Sequence, residues 1–502
     1  MSKRALRKDE FKKLMEHFNQ PGHKRPVTRR DFLSAGVIPF SAWMAAPSLI
    51  TLLARTEASA QALNCPQPAQ VSLVPFVHVN LSGGAALHAN WVPRDRMGVP
   101  LASYDRMGMG TSPTLTQDFG GATFYNNDPA AAGLHSFFYE GLTRNGAAVN
   151  MQPSTVANTL FVGLCNKSND DTSSNTLSAL GMVSRAGLVG SVLPNLGTVD
   201  SMTGVRQRFA KIQPPSPVIV KRFGDISGAL GLTGIFTDAT RGLSALQRQK
   251  LMGLVNSLND TQLRRLASLT DGPKVENLMK CAGIKNSDLI TNGTSQPTDI
   301  RTQAAPLLAL WGITAASNDQ TREVFFGSMV LNCLNGNSGP IALELGGYDY
   351  HDNTRTTGDT RDLQAGVLVG RIIETAALLN RPIFVHVTTD GSVRSPVTAT
   401  PGAEWSSDRG EAGVQYMIMY QPSGRPVLQP NTSGLTLAQI GHFNSAQAVD
   451  TSTAVGGSTE NAAAAAFLNW LKMSTGNLNI AAQVFPGGTL NAALTTADVV
   501  RI

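Results

Sequence analysis

Charge is scarce in this chain of 502 residues: Asp, Glu, Lys and Arg make up 15% of it. A long coiled coil or a helical bundle laced with surface ion pairs is therefore disfavoured, and a loop-rich secreted α/β protein suits the composition better. Basic runs are missing from most of the sequence. Residues 1–62 hold 11 Lys/Arg against 5 Asp/Glu, and the other 440 positions hold 30 of each, so the whole formal excess of +6 sits in the first 62 residues. A neutral remainder leaves no electrostatic footprint for nucleic acid. Cysteine is sparse too, with four residues at Cys65, Cys165, Cys281 and Cys333. None forms a Cys-x-x-Cys pair or a Cys/His spacing that suits zinc. In an oxidising compartment they allow two disulfides in three pairings, and a chain of this length can equally keep them as buried thiols. After Leu53 no apolar run is long enough to cross a membrane, and no fixed-period repeat points to a solenoid.

What is present begins with the leader. A basic segment ends in Arg29-Arg30, Phe32 and Leu33 follow, and the stretch from Leu33 to Leu53 carries no charge. Small residues then offer two cleavage sites, Ala58-Ser59-Ala60 and Ala60-Gln61-Ala62. This is the form of a twin-arginine export signal, which implies a periplasmic or secreted protein with residues 1–62 removed. The competing reading is a retained membrane helix. Pro39 and Pro47 interrupt the stretch and count against it.

The rest, 63–502, reads as one large α/β domain. Residues 71–84 (VSLVPFVHVNLSGG) predict a buried first strand that stops in a tight Gly-Gly turn. Helical spacing over 129–143, short strands at 147–151 and 159–165, and a polar loop running into a helix follow. Residues 241–290 are amphipathic and predict a helical hairpin, the centre of a helical insertion spanning about 205–335. The strand–helix rhythm then returns: IALELGG, a helix over 360–380, PIFVHVTTDG, GVQYMIMYQ and an alanine-rich helix near the C-terminus. Apolar strands alternating with helices imply a mostly parallel central sheet with helices on both faces.

In such sheets, functional groups gather past the carboxyl ends of the strands. Those ends carry His88 and Asn90 after the first strand, Asp349 and His351 after the second Gly-Gly, and Asp390 after VTT, with Asp408 in the next loop. Carboxylates, imidazoles and an amide are the ligand types that would hold a divalent cation: zinc, magnesium or calcium. Thr172 and Ser173, in the polar loop 169–175, are candidate hydroxyl nucleophiles. Each group also has a plainer reading. Asp390-Gly391 is an ordinary turn dipeptide, Thr172-Ser173 an ordinary helix cap, and Asp349 with His351 a pair that fixes its own loop.

The order of these segments resembles the exported bacterial domain of unknown function 1501 family, a branch similar to the alkaline phosphatase and sulfatase superfamily. The matching features are Arg29-Arg30, LSGG at 81–84, GGYDYH at 346–351, VTTDG at 387–391 and SDRG at 407–410. The resemblance implies an alkaline phosphatase-like fold and a divalent-metal hydrolase of phosphate or sulfate esters. Asp349, His351, Asp390, Asp408, His88 and Asn90 would be the metal candidates, and Arg409 a grip on the substrate oxyanion. The sequence also departs from the family. Relatives carry an acid soon after the first Gly-Gly, where Ala85-Ala86-Leu87-His88 stands here. The usual Ser-Glu-Phe-Gly-Arg is Thr-Asp-Gly-Ser-Val-Arg, and Arg409 replaces a histidine. Arginine can grip an oxygen pair but cannot ligate a cation. Two expectations follow: a small-molecule ester hydrolase, or a non-catalytic component that binds or assembles with other exported envelope proteins.

Overall fold

The computed structural model describes residues 73–107, 109–111, 117–125, 135–146, 148–167, 179–188, 190–191, 193–198, 217–230, 250, 297–350, 355–389, 413–485 and 490–502. The expected leader, Cys65, Cys281 and, apart from residue 250, the expected hairpin at 241–290 lie outside them.

Eight strands make the central sheet: β1 (Phe76–Gly84), β2 (Thr159–Cys165), β3 (Leu196–Gly197), β4 (Val218–Ile219), β5 (Ile341–Asp349), β6 (Ile383–Thr389), β7 (Val414–Tyr420) and β8 (Gln439–Ile440). Across the sheet they run β4-β3-β5-β1-β6-β7-β2-β8. Every pairing is parallel except the two made by β7, which opposes both β6 and β2. The expected mostly parallel sheet is present. The reversed direction of β7 is a property of its connections, which residue periodicity does not encode. β2, β6 and β7 are buried along their whole length. Burial on both faces explains why these segments read as mostly apolar runs rather than as regular alternation.

The larger helices are α1 (Phe137–Thr143), α2 (Leu180–Arg185), α3 (Phe223–Leu230), α4 (Ala305–Trp311), α5 (Arg322–Leu334), α6 (Arg355–Leu378) and α7 (Thr459–Thr475). On one face α1, α5 and α6 share a core with Val77, Val79, Leu343, Val385 and Ile418. On the other, α2 and α7 pack over Phe76, Ala342, Phe384, Met417 and Met419. α7 starts where the Ser458 hydroxyl accepts from the Asn461 amide and stops at Gly476 in the left-handed region, the expected start and stop signals of a helix. Of the stretch 205–335, β4 joins the sheet and α5 lies within the first core. Cys165 and Cys333 are buried free thiols. No helix among the described residues is long and apolar enough to cross a membrane.

Two close approaches depend on glycine. A Cβ on Gly366 of α6 would land on the Phe138 carbonyl oxygen and 2.9 Å from Gly141 Cα, and one on Gly370 would land on the Leu142 carbonyl oxygen. α1 and α6 therefore meet backbone to backbone. At the sheet edge, Gly83 has φ +130° and a Cβ there would land on the Asp349 amide. The first Gly-Gly was expected to end its strand in a turn. Instead the register shifts between Ser82 and Gly83, and both strands continue side by side, with Gly83 opposite Tyr348 and Gly84 opposite Asp349. The bare glycine backbone removes the clash that would otherwise splay them.

Candidate functional site

The parallel strands bring the carboxyl ends of β5, β1, β6 and β2 to one edge of the sheet. LSGG and GGYD, 265 residues apart in the chain, are direct neighbours there. Asp349 closes β5 with an exposed side chain. It alternates with Tyr348 and Tyr350, which both belong to the α1/α5/α6 core, so its carboxylate faces away from that core. Tyr348 donates to the Arg361 carbonyl at 2.7 Å, which anchors the strand end to α6.

His88 and Asn90 lie on the other side of the strand end, in and just after a turn of 3₁₀ helix at Leu87–Ala89, and both are buried. The Asn90 amide is fully engaged. Its nitrogen donates to Asp362 Oδ2 at 2.7 Å, and its oxygen accepts from Ser136 Oγ at 3.1 Å and from the Phe138 amide at 3.0 Å. Asp362 also accepts from the Tyr350 hydroxyl at 2.8 Å. Burial raises the Asp362 carboxyl to about 7, against the opposing pull of the Asn90 and Tyr350 hydrogen bonds. Asp359, one turn earlier on α6, is raised to about 6 by burial despite its 3.3 Å ion pair with Arg355. His88 is pushed down to about 3, first by burial and then by the Arg355 charge, so its imidazole is neutral.

These surroundings decide which described donors suit a cation. The exposed Asp349 carboxylate fits a hard divalent ion. His88 does not, because a cation placed on it would face the Arg355 guanidinium across a buried, poorly screened distance. Asn90 has its oxygen committed to α1. Among the described residues no group of three or more His, Cys, Asp or Glu is close enough to share one metal ion. His351, Asp390, Asp408, Thr172, Ser173 and Arg409 lie outside the described residues. The described chain stops at Tyr350 before His351 and at Thr389 before Asp390, and it resumes at 413, one residue before β7.

The α2/α7 face of the same strands holds a row of polar groups that the sequence reading passed over: His78 and Asn80 on β1, His386 and Thr388 on β6, and Gln415 on β7. None exposes more than 1% of its surface. The parallel register sets His78 beside His386 and Asn80 beside Thr388. A signal was there in the repeated Val-His-Val, at 77–79 and 385–387, followed each time by a short polar residue.

No family model matches the chain, and no curated protein matches it. Among solved structures the chain is similar to an alkaline phosphatase from the Antarctic bacterium TAB5, at 12% identity and a TM-score of 0.24, over 70% of this chain and 92% of that one.

Proposed function

We propose that this chain is an exported, divalent-metal-dependent hydrolase of small phosphate or sulfate esters, with its site at the carboxyl edge of the sheet. The observation that carries the reading is the pairing of Gly83-Gly84 with Tyr348-Asp349. It sets an exposed carboxylate on the edge from which the segments bearing Thr172, Ser173, His351 and Asp390 also depart. A bound dication would supply Lewis acidity and charge neutralisation there. Asp349 is the described ligand, with His351, Asp390 and Asp408 as its partners. Thr172 or Ser173 would attack the ester, and Arg409 would hold two of its oxygens in a fork. The twin-arginine leader supports export to the periplasm or beyond.

The test is elemental analysis of natively exported protein, paired with hydrolysis of aryl phosphate and aryl sulfate by the wild type and by Asp349→Ala. The reading expects bound divalent metal and ester hydrolysis, both lost in the variant. Metal-free protein with no activity on either ester would overturn it. A second reading, a non-catalytic envelope binding or assembly protein, draws support from the commitment of Asn90 to packing and from Arg409 standing where relatives carry histidine. It expects a stable exported partner whose binding survives chelation, and a partner released by chelator would count against it.

A further inference from the structure

The polar row on the α2/α7 face is not fully satisfied by the described residues around it. His78 Nε2 lies 2.8 Å from Thr388 Oγ1, and Thr388 donates its own proton to Asn80 Oδ1 at 3.3 Å. The Thr388 oxygen must therefore accept from His78, which puts the His78 proton on Nε2. His386 Nε2 lies 2.8 Å from Gln415 Oε1, an acceptor, so His386 also carries its proton on Nε2. Both rings are neutral. Burial, assisted by the neighbouring His386, lowers the His78 pKa well below its ordinary value, and burial brings His386 to about 4. Each ring is left with a bare Nδ1 lone pair. His78 Nδ1, His386 Nδ1, Asn80 Nδ2 and Gln415 Nε2 are all buried and have no hydrogen-bond partner among the described residues.

Two bare acceptors and two amide donors lie on one buried face of three neighbouring strands. One molecule with two protons to give and two lone pairs to fill matches them. The His78 and His386 ring centroids are 5.8 Å apart. Rings so spaced can bring their nitrogens within the about 4.5 Å that one water spans with two hydrogen bonds of about 2.8 Å. The core on this face includes Ala462 to Ala466 of α7, and those that face the sheet present only methyl groups to it. A metal ion fits less well. The set offers two neutral nitrogens and no carboxylate, and the two amide NH₂ groups would point their protons at the cation.

We infer that His78, His386, Asn80 and Gln415 bind an internal water, held by the paired Val-His-Val strands beneath the alanine-rich helix. Such a water belongs to the fold rather than to the solvent, because buried polar groups in native proteins are matched by protein or by ordered water. The test is a high-resolution crystal structure of the protein grown with zinc chloride present, with anomalous data, together with imidazole ¹⁵N spectra of the same protein between pH 6 and 8. The expected result is an ordered peak within hydrogen-bonding distance of both Nδ1 atoms, without anomalous signal, and two neutral rings with the proton on Nε2. An anomalous metal peak at that position, an empty position, or either ring with its proton on Nδ1 would overturn the inference. Loss of the hydrolase reading leaves this outcome untouched, because the test reads no activity.

Discussion

The contact between α1 and α6 makes one chemical change act with opposite signs at two positions. Gly228 lies exposed in α3, with nothing within 4 Å of where a Cβ would sit. Gly228→Ala should therefore collect only the helix-propensity gain, about 0.5–1 kcal/mol. Gly366→Ala collects the same gain, but its methyl lands on the Phe138 carbonyl oxygen and within 2.9 Å of Gly141 Cα and Leu142 N. These are backbone atoms of a packed helix, so no side chain can rotate away. α1 has to move by roughly 1 Å, and overpacking of this kind costs about 1–3 kcal/mol or more. Net of the propensity gain, Gly366→Ala should lose about 2 kcal/mol, leaving the two variants about 3 kcal/mol apart. Urea unfolding of the mature chain, followed by tryptophan fluorescence, reads the difference as midpoints on either side of wild type. A Gly366→Ala midpoint at or above wild type would refute the close backbone contact. The displacement should also loosen the clamp on Asn90, because Ser136 and the Phe138 amide belong to the helix that moves.

Asn90→Ala should destabilise the fold by about 4 kcal/mol, because it strands the Asp362 carboxylate, Ser136 and the Phe138 amide in the core; a change under 1 kcal/mol in the same assay would contradict the geometry. Asp349→Ala should abolish metal binding and ester hydrolysis while leaving stability to urea in chelator within about 0.5 kcal/mol of wild type, as expected for an exposed side chain at a strand end. His386 should stay neutral until about pH 4. Its folded pKa lies below the unfolded value near 6.5, so its contribution to stability is complete above that value and is lost as pH falls through about 4. Ring C–H chemical shifts should be flat from pH 8 to 5, and a midpoint near 6.5 would show that the ring is not buried.

The long buried strands could be read directly because burial on both faces leaves mostly apolar runs such as VQYMIMY and IFVHVTT. The direction of β7 could not, since a fully buried strand carries the same residues whichever way it runs. The first Gly-Gly pair reads locally as a turn. Only the register shows that Gly83 lets two strand ends pass at backbone distance. Asn90 attracted attention as a polar residue past a glycine pair, yet the partner that occupies its nitrogen, Asp362, is 272 positions away. Long-range partners of this kind leave no mark in local spacing. The Val-His-Val repeat was visible, but alternation explains each copy separately as half of a buried strand. Its meaning appears only when parallel pairing sets the two imidazoles side by side.

The position of β1 also sets a timetable. It lies between β5 and β6, and Val77 pairs with Ile341 and Val385. A ribosome adding about 5–20 residues per second needs roughly 13–50 s to make the 264 positions between the first of these pairs. For that interval the apolar strand β1 has neither neighbour. The centre of the sheet can assemble only after about three-quarters of the polypeptide exists, so the newborn chain has to be shielded before it can fold. Under the proposed route of export, the leader is the first part to emerge and the last that can be used. A translocase that accepts folded cargo would have to wait for β5 and β6, and pulse-labelled chains truncated before residue 341 should be degraded in the cytoplasm rather than delivered.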